Sequence, residues 1–157
     1  MLIRKMTMED IPFVVEIENQ CFSLPWSAKS FEDSLAREDT LFLVCVEDDR
    51  SGDIQTVEDS ASPVAGYMGL YLSFDEASVT NVAVSPAYRK KGYGEALVVA
   101  AKEEAKAAGA ESIFLEVRMS NIPAISLYKK LGFEELGIRK KFYEHPVEDA
   151  IIMKVGI

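Results

Sequence analysis

The chain has little of what metal and thiol chemistry requires. It holds two cysteines, Cys21 and Cys45, and one histidine, His145. A zinc site of the usual Cys/His kind needs about four such ligands, so no metal is expected. A Cys–His nucleophile pair has almost no material either. Long apolar runs are missing too: the stretch 41–46 is far short of the ~20 residues that span a bilayer. The start of the chain carries no apolar core of signal-peptide length, and its end holds no cysteine for lipidation. These absences point to a cytoplasmic protein with no membrane partner. Positive charge is also scarce. Lys and Arg number 17 against 26 Asp and Glu, a net charge of −9. Nucleic-acid binding rests on neutralising phosphates, so DNA and RNA are poor partners. A basic peptide or an amine is a better electrostatic match.

What is present suits a folded protein. Hydrophobic residues make up 48% and charged residues 27%, which argues against disorder. A chain of 157 residues fits one domain, 1–157, that buries roughly two thirds of its extended surface.

Periodicity then divides the chain. Residues 2–5 read as a strand, and Thr7-x-x-Asp10 as a helix start. Val14, Ile17 and Cys21 share one helical face. Pro25 breaks this helix, and Ser27 can cap a second one in which Phe31 and Leu35 align. Strands follow at 41–46, 64–74 and 77–84. Between the first two lies 47–63, acidic and poor in apolar anchors, which reads as a long mobile hairpin loop. The span 92–108 is helical, 112–118 is a strand, and Ser120 or Asn121 caps a helix with Pro123 in its first turn. Gly132 ends that helix, and strands at about 133–143 and 149–155 close the chain. The order β, α, α, β, β, β, α, β, α, β, β predicts an α/β (α+β) fold. Its sheet should be mixed and mostly antiparallel, with a central parallel β-α-β crossover.

Three segments carry chemistry. In the first, a strand runs into Arg89-Lys90-Lys91-Gly92-Tyr93-Gly94 and then a helix. Glycines let a ligand approach the backbone, and the first helical amides bind anions. Three cations at a helix N-terminus oppose its dipole unless an anion is present. A P-loop is excluded because no Gly-Lys-Ser/Thr follows, and a Gly-x-Gly without parallel strands before it is a weak Rossmann sign. In the second segment, Ile113, Leu115 and Val117 alternate with Phe114, Glu116 and Arg118. A carboxylate amid apolar strand residues is either functional or a structural pair, for instance with Arg118. In the third, Leu127 and Leu131 form a core stripe with Tyr128 on its edge. A tyrosine there is, by itself, a packed aromatic.

Together, Arg89-x-x-Gly92-x-Gly94, the Leu-Glu116-Val-Arg strand with Asn121, and Ala-x-x-Leu-Tyr128-x-x-Leu-Gly-Phe133 resemble the GNAT superfamily of acyl-CoA-dependent N-acetyltransferases. The likeness covers nearly the whole chain and implies the GNAT acyl-CoA N-acyltransferase fold, with helices on both sheet faces. Thr7-x-x-Asp10, Leu24-Pro-Trp-Ser27 and the closing Glu148-Asp-Ala-Ile-Ile-Met153 are similar to one branch of it, the bacterial ribosomal-protein-alanine N-acetyltransferases.

The resemblance implies acetyl-CoA as co-substrate and a protein N-terminus, that of a small-subunit ribosomal protein, as partner. It places Val82, Ala83 and Val84 along the acetyl and pantetheine arm. Arg89, Lys90, Lys91, Gly92, Tyr93, Gly94 and Glu95 would lie at the pyrophosphate, held largely by main-chain N–H groups, and Asn121 on the pantetheine side. Glu116 matches the family's proton acceptor and Tyr128 its proton donor. Two features depart from the pattern: the length of the 47–63 loop, and Phe142 beside Tyr143 where a second tyrosine is expected. A lysine side chain or small amine as acceptor, and an acyl-CoA-binding domain without turnover, stay open at this point.

Overall fold

The computed structural model describes residues 1–47 and 64–157. Of the loop expected at 47–63, all but Glu47 lies outside the described residues. Among the described residues, seven strands and four helices follow the expected order: β1 (Leu2–Lys5), α1 (Ile11–Cys21), α2 (Ala28–Leu35), β2 (Thr40–Val46), β3 (Val64–Ser73), β4 (Glu76–Val84), α3 (Tyr93–Ala107), β5 (Ser112–Arg118), α4 (Ile122–Lys130), β6 (Glu134–Tyr143) and β7 (Glu148–Gly156). Short 3₁₀ turns at Met8–Asp10 and Pro86–Tyr88 precede α1 and α3.

The strands form one sheet in the order β1-β2-β3-β4-β5-β7-β6. Every pairing is antiparallel except β4 with β5. That parallel pairing is brief: Glu76, Ala77 and Ser78 face Ser112, Ile113 and Phe114. Beyond those residues β4 continues to Val84 and β5 to Arg118, and the two strands part.

A bulge lies where β4 leaves its neighbour. Gly69 of β3 stands opposite Asn81, but Leu70 stands opposite Val79, so Thr80 is an extra residue. A side chain at position 69 would collide with the Phe42 ring, Thr80 Oγ1 and Asn81 Oδ1. Glycine is therefore required for the sheet to close around this bulge.

Each face of the sheet buries its own core. Val14 and Ile17 of α1 and Phe31 of α2 pack with Phe42, Val44 and Tyr67 on one face. Leu97, Val98 and Ala101 of α3 and Ile125 and Tyr128 of α4 pack with Met68, Ile113, Leu115 and Met153 on the other. The start of α1 is fixed by charge. Asp10 is buried, and Arg4 donates to both its oxygens, at 2.7 and 2.8 Å. The Thr7 N–H donates to Asp10 Oδ2 at 2.8 Å.

Burial opposes the charge on Asp10, but the hydrogen bonds from Arg4 and Thr7 outweigh it and hold the carboxyl below its ordinary value. A depressed carboxyl contributes stability above its unfolded pKa of about 3.9 and loses it as pH falls through the folded value. Asp10→Asn is expected to cost about 1–3 kcal/mol at neutral pH. The gap to wild type should close as pH drops below about 4. Urea unfolding across that range checks this, and a gap that persists in acid would contradict it.

Candidate active site

The parting of β4 and β5 leaves one side of β4 without a strand. The Ser85 N–H donates to Ala65 O of β3 at 2.8 Å. Strand groups alternate in direction, so the N–H and C=O of Val84 point the other way, into the gap. Val84 O is met there by Arg89 Nε at 3.4 Å and by the Cys21 thiol at 3.7 Å. Val82 and Val84 are half-buried, whereas Ala83 is buried against α1 and α2.

Across the gap stands the N-terminus of α3. Lys90 and Gly92 both have left-handed backbone, with φ of +62° and +84°. Ala96 N–H is bonded to Gly92 O at 3.1 Å, so the amides of Tyr93, Gly94 and Glu95 have no acceptor within the helix. Left-handed residues before such a turn gather N–H groups into an anion-binding concavity. A side chain at position 92 would meet nothing within 4 Å, so the approach is open. The side chains here divide the work differently from the sequence expectation. Arg89 turns away from the helix start, with Nη2 3.4 Å from Cys21 Sγ. Lys91 lies over the Tyr88 ring, 5.5 Å from its centroid. Tyr93 is buried edge-on to Tyr88, so only its main chain can face a ligand. The Glu95 carboxylate is paired with Lys130 Nζ at 2.9 Å, which removes an anion from the helix start.

The far wall is α4. Asn121 Oδ1, not Ser120, caps it by accepting from the Ala124 N–H at 3.3 Å. The helix ends as Gly132, with φ +94°, sends its N–H to Lys129 O and Phe133 sends its N–H to Tyr128 O. That Schellman arrangement places the Phe133 ring on the Tyr128 ring, with centroids 5.5 Å apart. The expected core stripe is corrected here. Ile125 and Tyr128 are buried, while Leu127 and Leu131 are only half-buried. The cap at Asn121 sets a helix phase that turns Leu127 toward α3, where its Cδ2 would lie 3.5 Å from a Cβ on Gly94.

Glu116 lies on the sheet face opposite α3 and α4, with its side chain 28% exposed. Its ion-pair partner is Arg139 of β6, at 3.5 Å, and not Arg118. Arg118 pairs instead with Glu148 at 3.3 Å. Tyr143, whose ring lies 4.3 Å from the Arg118 guanidinium, feels the charge of the Glu116 carboxylate. Its phenol is pushed up to about 12 by burial first and then by Glu116, against the Arg118 charge. The Tyr128 phenol is also pushed up to about 12, by burial and by Tyr143. Both hydroxyls therefore keep their protons at neutral pH. Sequence reasoning missed Glu18, buried on α1, whose Oε1 accepts the Trp26 N–H at 3.1 Å. Its position four residues after Val14, on the buried stripe, was the available signal.

Residues 11–133 match the Acetyltransferase (GNAT) family. The chain belongs to this family. A Bacillus subtilis (strain 168) protein, provisionally named a ribosomal protein bS18-alanine N-acetyltransferase, is 39% identical over 155 residues, 99% of this chain and 95% of its own. The crystal structure of the Escherichia coli ribosomal-protein-S18-alanine N-acetyltransferase superposes with a TM-score of 0.84 at 32% identity, covering 99% of this chain and 93% of that one. Arabidopsis thaliana NAA60, in complex with acetyl-CoA, shares the fold at a TM-score of 0.82 and 19% identity, over 99% and 98% of the two chains. The protein is thus an acetyltransferase with the GNAT fold. Among its described residues no helix is long and apolar enough to cross a membrane.

The two raised phenols give a direct check. Unperturbed tyrosines ionise at about pH 10. Replacing Tyr128 or Tyr143 by Phe should leave that part of the phenolate absorbance curve unchanged and remove amplitude only near pH 12. A rapid pH jump reads this before the chain unfolds. Loss of amplitude at the ordinary step would mean the ring is solvated.

Proposed function

We propose that this acetyltransferase moves the acetyl group of acetyl-CoA to a protein N-terminal α-amine, that of the N-terminal alanine of a small-subunit ribosomal protein. Glu116 is the proton acceptor and Tyr128 the proton donor. One observation carries the reading: the end of β4, with no strand beside it, turns the Val84 amide into a gap walled by the α3 N-terminus and by the α4 helix that holds Tyr128.

The residues fit acetyl-CoA. The amides of Tyr93, Gly94 and Glu95 supply donors for a pyrophosphate, Gly92 leaves space in front of them, and exposed Lys90 and Lys91 add charge. Val82, Val84 and Asn121 would line the pantetheine arm. When bound, acetyl-CoA supplies an acyl thioester.

The chain's own groups then manage protons and charge. An α-amine has a pKa of about 7.7–8.0, so much of it is protonated at neutral pH. Glu116 takes that proton, directly or through one water, and frees the nitrogen lone pair. The nitrogen forms a bond to the carbonyl carbon while the carbon–sulfur bond breaks. The Val84 N–H, turned into the gap, would donate to the thioester carbonyl oxygen and stabilise its growing negative charge. Tyr128 gives its proton to the departing sulfur, which leaves as a thiol, and regains one from the proton that Glu116 accepted. The protein substrate is supported by the B. subtilis and E. coli relatives, named for the alanine of a ribosomal protein. The net charge of −9 also favours a basic peptide.

Thiol release in the presence of acetyl-CoA tests this. An Ala-starting basic peptide should be turned over well, and a blocked lysine peptide and spermidine poorly. Preference for the lysine peptide or the polyamine would overturn the substrate assignment. Tight acetyl-CoA binding with no release on any amine would point to a binding domain instead.

A further inference from the structure

The β6–β7 hairpin carries Tyr143 on one arm and Glu148 on the other, paired as the last rung of their ladder. Beyond that rung the backbone ladder stops, and residues 144–147 are held by side chains. Arg118, the last residue of β5, reaches into the turn. Its Nη1 donates to Pro146 O at 3.1 Å and its Nη2 to Glu144 O at 3.3 Å. The same guanidinium pairs with Glu148 Oε1 at 3.3 Å and lies 4.3 Å from the centroid of the Tyr143 ring. Glu148 continues the chain of contacts. Its Oε2 accepts the Ser120 N–H at 2.6 Å and its Oε1 the Ser120 hydroxyl at 2.9 Å. Ser120 directly precedes Asn121, the cap of α4. One arginine and one glutamate therefore tie the hairpin to the β5–α4 turn.

The chemistry needs these residue types. A planar guanidinium spreads its five donors in a fixed fork, so it serves two carbonyls and a carboxylate from separate nitrogens while its plane lies against a ring, which the compact ammonium of lysine does less well. Glu148 is held below the ordinary carboxyl value by the Ser120 hydroxyl and N–H and then by Arg118, so it stays charged across the working range. Side-chain exposures of 27% for Arg118 and 19% for Glu148 remove the pair from the class of loose surface contacts.

We propose that Arg118 and Glu148 are positioning residues: they lock the 144–147 turn onto Ser120, hold the Tyr143 ring against the Arg118 guanidinium, and so set the wall against which the acceptor peptide lies. The proposal rests on the peptide acetyltransferase reading above. It assigns Arg118 an action through Tyr143, not a contact with the reacting atoms.

The experiment compares Arg118→Gln, Arg118→Lys, Tyr143→Ala and the double variant Arg118→Gln/Tyr143→Ala in the full chain. In Arg118→Gln, amide hydrogen exchange should quicken at 143–149 and 119–122 and stay unchanged in α3 and β4. Peptide KM should rise roughly tenfold, the scale of one lost coupled network, and by a larger factor than the acetyl-CoA Kd. Arg118→Lys, which keeps the cation but not the fork, should recover part of the loss. The double variant should be no worse for peptide KM than Tyr143→Ala alone. Unchanged exchange in the hairpin would overturn the lock. Additive effects of Arg118→Gln and Tyr143→Ala would overturn action through Tyr143. Should Arg118→Gln fail to fold, the same exchange and cycle measurements on Arg118→Lys decide. A wild-type protein that turns over no peptide would sink the functional reading, and the exchange data would still decide the lock.

Discussion

Two parallel strands that stay paired for only three residues leave backbone donors and acceptors without partners, and such groups must be satisfied by something. Here the unpaired stretch runs along the end of β4. Its Val84 carbonyl already has Arg89 and the Cys21 thiol, while the Val84 amide faces the gap. The rest of the site depends on this parting. It leaves the edge of β4 facing the first turn of α3, which α4 adjoins through Glu95–Lys130 and through Leu127 beside Gly94. The bulge at Thr80, with its demand for glycine at position 69, marks where β4 departs from a regular ladder.

Opposite ends of the gap have different electrostatics. At the α3 start the donors are main-chain amides, and the one nearby carboxylate, Glu95, is neutralised by Lys130. At the α4 end the groups are a carboxylate, the buried Tyr128 and the half-buried Tyr143, phenols whose protons are held by burial first, then by Glu116 for Tyr143 and by Tyr143 for Tyr128. The first suits a bound polyanion, and the second suits proton movement. Neither requires a cysteine or histidine, in keeping with a chain that has two of one and one of the other.

Much of the fold was legible because its signals are local. Alternation located β5, the periodicity of Val14 and Ile17 located α1, and Gly132 and Pro123 bracketed α4 within a residue or two. What failed was set by helix phase or by distant partners. Leu127 and Leu131 look like a core stripe, yet the phase set by the Asn121 cap buries Ile125 and Tyr128 instead. Arg118 is the nearest cation to Glu116 in sequence, but Glu148 and the hairpin carbonyls claim it. Arg139, two strands away, takes its place. Arg89 belongs to the basic run before α3, but its side chain finds Cys21 and Val84. For Glu116, Arg118 and Arg89 the residue type was read correctly and the partner, many residues distant, was not.

The central claim is that Glu116 moves a proton and is not merely one half of an ion pair with Arg139. Glu116→Gln keeps the shape and removes the base. Rate against pH and melting temperature, measured on one preparation of wild type and variant, separate the two roles. The account predicts a loss of roughly 10²–10⁴ in turnover at neutral pH, a loss that shrinks at high pH where the amine is already deprotonated, and a nearly unchanged melting temperature. A lowered melting temperature with activity per folded molecule intact at every pH would contradict it.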